Sequence, residues 1–384
     1  MSKTISNATL RLWIYQGQFG SRTADPTYTL YKERISEENS IVFEVSELIR
    51  DYTTVTFTGD FAAINQTAWV EWEMTRTFSD TTSDVVIGSG ICFNGYGYFE
   101  DGINPELSTG LMQSNTIIYH KKGDPFYLPV YTGLNGSYSV KYYDGASLEK
   151  TVTLGMKSKK ITVNPTLEDN WTVDDCKGCS PAGGKYTADM THINIGGTET
   201  IVTTDAYYDT PSTVEIEDMK GNKTTCSVFE IEECKFTPYR VSFLNKFGVV
   251  QNVYFFKRRD ESINVTKDSY EANTITSSDT TTATSEGSIF GTTVNYSLNA
   301  PTKRFFNVKG KKKLKLNTGF VDESFNEVIQ QILLTEQAWI QEGGEVYPII
   351  PVTQSLEYKT RVNDRLIDFQ VGFEYAYDEI NEIR

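Results

Sequence analysis

The chain has 384 residues, 36 basic side chains against 51 acidic ones, a net charge of −15, and an aromatic fraction of 13 % that includes 23 Tyr and 21 Phe. This length implies two or three domains, and the aromatic richness favours strands and excludes a chain disordered throughout. The acidic balance excludes a general nucleic-acid binder, which needs a basic face to displace counterions, while leaving local basic patches open.

The amino terminus, Met1-Ser2-Lys3-Thr4-Ile5-Ser6-Asn7, is polar, and no apolar run reaches the ~18 residues of a membrane span. A protein made in the cytoplasm, without membrane insertion, is therefore expected. In the run Thr9 to Tyr15, Leu10, Leu12 and Ile14 alternate with Arg11, Trp13 and Tyr15, the period of a strand with one buried face. Strands are also expected at Ile41 to Val45, Val55 to Thr58, Trp69 to Thr75, Val85 to Phe93 and Ser137 to Tyr143. Between them, Ser46 to Tyr52 predicts a short helical turn capped by Ser46. Together these residues, 1–157, suggest an N-terminal β-sandwich.

Residues 158–233 are polar and rich in turn signals such as Pro181-Ala182-Gly183-Gly184, with short strands at His192 to Ile195, Glu199 to Thr203 and Ser212 to Ile216. They read as a small β-module. Cys176 and Cys179 have zinc-knuckle spacing, and Cys226 and Cys234 follow in the same stretch. Four thiolates closing a poorly cored module around a structural zinc ion is one reading, and reduced cysteines or an adventitious disulfide are the other. Cys92 reads as a small buried residue of its strand.

From 234 to 384 an α+β unit is expected. Tyr239 to Leu244 and Val249 to Phe256 flank Asn245-Lys246-Phe247-Gly248, whose Asn and Gly tolerate positive φ, so a β-hairpin is predicted. The Ser/Thr-rich stretch 269–288 has too little apolar surface for a core and predicts an exposed loop or a long hairpin arm. A lysine-rich strand, Lys309 to Lys315, reads as a solvated strand or a subunit contact with the acidic remainder of the protein, with DNA as the alternative. A capping box of Ser324 and Glu327 predicts a helix from Ser324 to about Trp339, with Phe325, Val328, Ile329, Ile332 and Leu333 on one stripe. Strands at Gln354 to Lys359 and Leu366 to Tyr377 close the chain, the last with Ile367, Phe369, Val371, Phe373 and Tyr375 on one face. The fold class expected is mainly β with a small α+β part and one packed helix.

Catalytic signatures are sparse. The chain has two histidines, His120 and His192, and neither sits in a metalloprotease, nucleophile-elbow or cysteine-protease pattern. The Gly-rich stretch Gly88 to Gly97 lies among strand residues with no following helix to present to a phosphate. Trp69, Trp72, Tyr96, Tyr98 and Tyr127 fit core or interface packing, with a sugar-stacking face as the alternative. Catalysis and cofactor binding are not expected, although paired carboxylates of the glycosidase kind cannot be read from spacing.

Three segments carry a resemblance: Cys234-Lys235-Phe236-Thr237-Pro238-Tyr239-Arg240-Val241-Ser242-Phe243-Leu244-Asn245-Lys246-Phe247-Gly248, Leu316-Asn317-Thr318-Gly319-Phe320, and Leu356 to Ile367. With the opening segment Ile41 to Tyr52, they resemble structural proteins of tailed bacteriophages that infect Bacteroidota and marine bacteria. The resemblance implies a virion component of the tail, its distal ring or its baseplate, with a ring- or tube-forming β-domain. It implies as partners copies of itself and other phage virion proteins, and the net negative charge would suit a lumen through which DNA passes without sticking. A receptor- or glycan-binding module at the tail tip, using the N-terminal sandwich on a host-surface glycan, is the competing expectation.

Overall fold

The computed structural model describes residues 4–16, 21–35, 40–53, 55, 57–59, 67–101, 110–124, 126–131, 137–155, 211–358 and 366–380. In chain order the elements are β1 (Ile5–Tyr15), β2 (Tyr28–Glu33), α1 (Ser46–Arg50), β3 (Thr67–Phe78), β4 (Ser83–Phe93), β5 (Gly110–Leu111), β6 (Ile117–His120), β7 (Val130–Tyr131), β8 (Ser137–Asp144) and β9 (Ser147–Gly155). Further along come β10 (Thr213–Asp218), β11 (Lys223–Glu230), β12 (Tyr239–Leu244), β13 (Val250–Phe255), β14 (Asp260–Glu271), β15 (Ile275–Thr284), β16 (Gly287–Tyr296) and β17 (Lys303–Asp322). The chain ends with α2 (Phe325–Leu334), β18 (Ala338–Glu342), β19 (Glu345–Pro351) and β20 (Leu366–Tyr375). The protein is mainly β with a small helical part, as its composition predicts. No helix among the described residues is long and apolar enough to cross a membrane.

Three larger sheets organise the chain. The first has the order β2-β1-β3-β4. Leu12 and Ile14 of β1 pack there with Ile49 of α1 and with Ala68 and Val70 of β3, so the period-two face read from the sequence is the buried one. Trp13, on the opposite face, is buried too, with the Arg22 guanidinium 4.2 Å from its ring centre. In β4, Gly88 lets the neighbouring strand's Trp72 lie flat, since a Cβ at 88 would stand 2.2 Å from the indole.

The second sheet, β6-β11-β10-β8-β9, has its own core of Phe126, Leu128, Val140, Tyr142, Val214, Ile216 and Cys226. It spans the boundary expected at 157/158: β10 pairs with β8 through Val214↔Tyr142 and Ile216↔Val140. The rest of the expected 158–233 module, with its strands at His192 to Ile195 and Glu199 to Thr203, lies outside the described residues.

The third sheet is antiparallel throughout, in the order β13-β12-β18-β19-β20-β17-β14. Helix α2 lays Phe325, Val328, Ile329 and Ile332 on Val241, Phe243, Leu316, Phe369, Val371 and Phe373, the largest core of the molecule. All five residues assigned to one face of the last strand are buried in it.

The predicted hairpin forms as β12 and β13, and its turn is the joint between sheets. Asn245 Oδ1 accepts hydrogen bonds from the backbone N–H of Phe247 (3.0 Å) and Val249 (3.3 Å), while Asn245 Nδ2 donates to the Met112 carbonyl (2.8 Å). The N–H of Tyr96 donates to the Lys246 carbonyl at 2.8 Å, which stitches the turn after β4 to this one. In β17, the resemblance segment Leu316 to Phe320 is a bulge in the pairing with β20. There Gly319 has φ +76°, and a Cβ would stand 2.2 Å from the Phe256 ring.

Four local expectations change. Helix α2 stops at Leu334, because Thr335 turns extended and its hydroxyl donates to the Leu244 and Gln337 carbonyls (2.7 and 3.0 Å), which starts β18. Its capping box does not form: Ser324 is itself helical in backbone angles, and Glu327 pairs with Lys246 instead (2.7 Å). Ser46 likewise does not cap α1; its backbone N–H donates to Glu44 Oε1 (2.9 Å). Of the strands expected at 41–45, 55–58 and 354–359, the described residues 41–45, 55, 57–58 and 354–358 are not strands; Val55 and Phe57 instead pack against Trp339 and Leu244.

Candidate assembly surface

Beyond the third sheet, β14 and β17 run on past its core and continue into the β15–β16 hairpin. The expected Ser/Thr-rich arm is therefore a two-stranded ribbon. Its register sorts its side chains. Residues opposite one another in an antiparallel pair share a face, so Glu261, Ile263, Val265 and Lys267 lie with Leu314, Lys312, Gly310 and Val308. Leu314 is buried in the core, yet Ile263 and Val265, farther out on the same face, are exposed. In the outer hairpin, Ile275 faces Tyr296 and Ser277 faces Val294 on one side, while Thr276/Asn295, Ser278/Thr293 and Thr280/Gly291 lie on the other.

Among the described residues of this ribbon, Ile263 (53 %), Val265 (49 %), Ile275 (59 %), Val294 (63 %), Tyr296 (64 %) and Leu298 (89 %) are exposed. A two-stranded hairpin is marginal in water by itself, and contiguous exposed apolar side chains of this kind mark a contact surface. Strand β14 is also an edge of its sheet, with one row of backbone donors and acceptors open along its length among the described residues.

The other residues singled out by sequence are dispersed. Cys176, Cys179 and His192 lie outside the described residues. Cys226 is fully buried in the apolar core of the second sheet, and Cys234 is exposed. No group of three or more His, Cys, Asp or Glu side chains stands ready for a metal among the described residues. His120 is buried between the rings of Phe126 and Tyr254, at 5.2 and 5.6 Å. Trp69 is buried, Trp72 and Tyr127 are half-buried against apolar clusters, and Tyr96 and Tyr98 stack edge to face at 5.9 Å beside the joint, so these five do not form one open face. Cys92 is half-buried in β4.

Burial pushes the Cys226 thiol up to about 12 from an ordinary 9.0. Below pH 9 both folded and unfolded chains hold this proton, so the group contributes nothing to pH dependence there. Between pH 9 and about 12 the unfolded chain releases it first, and stability is expected to fall by about 1.4 kcal/mol per pH unit from this group. Urea unfolding at pH 8 and pH 11, wild type against Cys226→Ala, checks it: equal pH dependence in both proteins would refute the assignment. Native alkylation at pH 8 is expected to modify Cys234 and spare Cys226.

A cavity of about 640 Å³ lies between α1, the turn at 92–99 and the end of β12, where Arg50 and Glu336 form an ion pair. Comparison with family models, with curated proteins and with solved structures finds no match.

Proposed function

We propose that this chain is a non-enzymatic structural subunit of a tailed-phage virion, in the tail, its distal ring or its baseplate, and that it assembles by packing the β14–β17 ribbon against neighbouring copies. The single observation that carries this reading is the ribbon: Ile263 and Val265 lie exposed on the face of β14 and β17 that carries the core residue Leu314, and Ile275, Val294 and Tyr296 lie exposed on one face of the hairpin that follows. A neighbouring subunit supplies the missing layer, and repetition of that contact about a symmetry axis generates a ring or tube. The phage assignment rests on the resemblance of Cys234 to Gly248 and of Leu316 to Phe320. In the fold these residues form the inter-sheet joint and the β17 bulge, which are architectural positions.

Light scattering of the purified protein over a range of concentrations tests the assembly reading, with a defined multimer expected. A monomer at every concentration would overturn it. Mass spectrometry of purified virions tests the location, and absence of the chain from them would end the phage assignment.

A further inference from the structure

The two faces of the ribbon differ in kind. On the face turned away from the core, register places Lys309, Lys311, Lys313 and Lys315 in one row, opposite Thr266, Asn264, Ser262 and Asp260 of β14. Alternate strand residues stand roughly 6.6 Å apart, so the four ammonium groups extend along about 20 Å. The intervening Leu314 and Leu316 are buried on the other side, which fixes the direction of the lysines. Lys309, Lys311 and Lys315 are exposed and Lys313 is half-buried.

Little of this charge is neutralised within the chain. Lys311 approaches Glu374 at 3.5 Å, whereas Lys309, Lys313 and Lys315 have no ion-pair partner among the described residues. Two carboxylates face the row from β14: Asp260 is engaged by Arg258 at 2.7 Å, and Asp268 accepts from Asn307 Nδ2 at 2.7 Å; on the other side Glu374 of β20 stands opposite Lys313. Residues 303–315 hold seven Lys or Arg and no Asp or Glu, in a chain whose net charge is −15.

The row ends at an aromatic pair. Tyr270 follows Asp268 by two residues on the same strand, so it shares the lysine face, and Phe306 meets it edge to face with ring centres 6.0 Å apart. Tyr270 is 46 % exposed and Phe306 67 %. Neither ring has a core to join. Lysines in a line neutralise phosphates, and exposed rings stack unpaired bases; single-stranded nucleic-acid sites combine these two elements.

We propose that this face binds single-stranded nucleic acid, with Lys309, Lys311, Lys313 and Lys315 along the phosphates and Tyr270 and Phe306 under the bases. An acidic protein segment would use the lysines but would gain nothing from the rings, and the rings decide between the two. The proposal does not depend on self-assembly, because Ile263 and Val265 point from the opposite face.

The test is fluorescence anisotropy of the full chain with a labelled oligothymidylate, a blunt duplex and a polyglutamate peptide, at increasing salt. Oligothymidylate is expected to bind with a slope of log K against log salt of about −2 to −3, the value for three or four phosphates on a single strand. Lys309→Ala/Lys313→Ala/Lys315→Ala is expected to weaken binding at low salt more than tenfold and to remove most of that slope. Phe306→Ala is expected to weaken oligothymidylate binding roughly tenfold and to leave the slope unchanged. All four positions project from the ribbon, and circular dichroism of the variants verifies their fold. Absence of oligothymidylate binding at low salt, or affinity unchanged in the lysine variant, overturns the proposal. Equal affinity for polyglutamate together with an unaltered Phe306→Ala variant also overturns it, in favour of an acidic protein segment.

Discussion

The triple variant Ile275→Ser/Val294→Ser/Tyr296→Ser is expected to remain folded and to lose self-association by more than a hundredfold. The three side chains lie on one face of the β15–β16 hairpin and are each more than half exposed, so the cores of the three sheets do not depend on them. Serine keeps the strand extended while removing the apolar surface, and each buried side chain of this size contributes about 1.5–3 kcal/mol when it leaves water. Even with interface ordering offsetting part of that sum, three such losses exceed the ~2.7 kcal/mol that a hundredfold change requires. Sedimentation velocity on wild type and variant reads the outcome. Assemblies of unchanged size and concentration dependence would mean that subunits meet elsewhere, and the ribbon would lose its assigned role. Thr276→Ser and Thr280→Ser, on the opposite face, serve as the matched control and are expected to leave assembly unchanged.

Gly248→Ala is expected to destabilise the fold by about 3 kcal/mol or more, whereas Gly145→Ala costs about 1 kcal/mol. Both glycines have positive φ, +77° and +57°, and therefore share a backbone penalty for any L side chain. They differ in what a Cβ would meet. At Gly145 there is open space; at Gly248 the atom would stand 2.6 Å from the Asn94 carbonyl carbon and 2.7 Å from the Gly95 nitrogen. Those are backbone atoms of the opposing turn, which cannot rotate aside, so the turns must separate and the Tyr96 N–H···O Lys246 bond is lost. Urea denaturation of both variants gives the difference. Equal losses would show that conformational freedom alone, without close approach, explains the glycine at 248.

How far local pattern reaches is seen in β1 and β20. Alternation in Leu10-Leu12-Ile14 and in Ile367-Phe369-Val371-Phe373-Tyr375 identified the buried faces of both, because a strand's side-chain period is the same wherever it docks. The β12–β13 hairpin was equally readable, since Asn245 and Gly248 satisfy the backbone geometry of their own turn. Helix α2 is legible in its apolar stripe but not at its end. Nothing local stops a helix at Leu334; the stop comes from the Thr335 hydroxyl reaching the Leu244 carbonyl on another element. Residues 41–45 and 354–358, within two strands expected from propensity, are not strands for a related reason, because a strand needs an edge to pair with and propensity does not supply one.

Residue chemistry by itself determined a mainly β protein, the faces of its long strands, one amphipathic helix and an arm unable to form a core. Only the tertiary structure decided that β10 pairs with β8, more than sixty residues earlier in the chain, and that the lysines at 309, 311, 313 and 315 share a face with Tyr270 and Phe306. The physical reason is common to both. A strand's internal period is a property of its own backbone, whereas its partner, its register and the face on which a bulge sets a neighbour are fixed by residues distant in sequence.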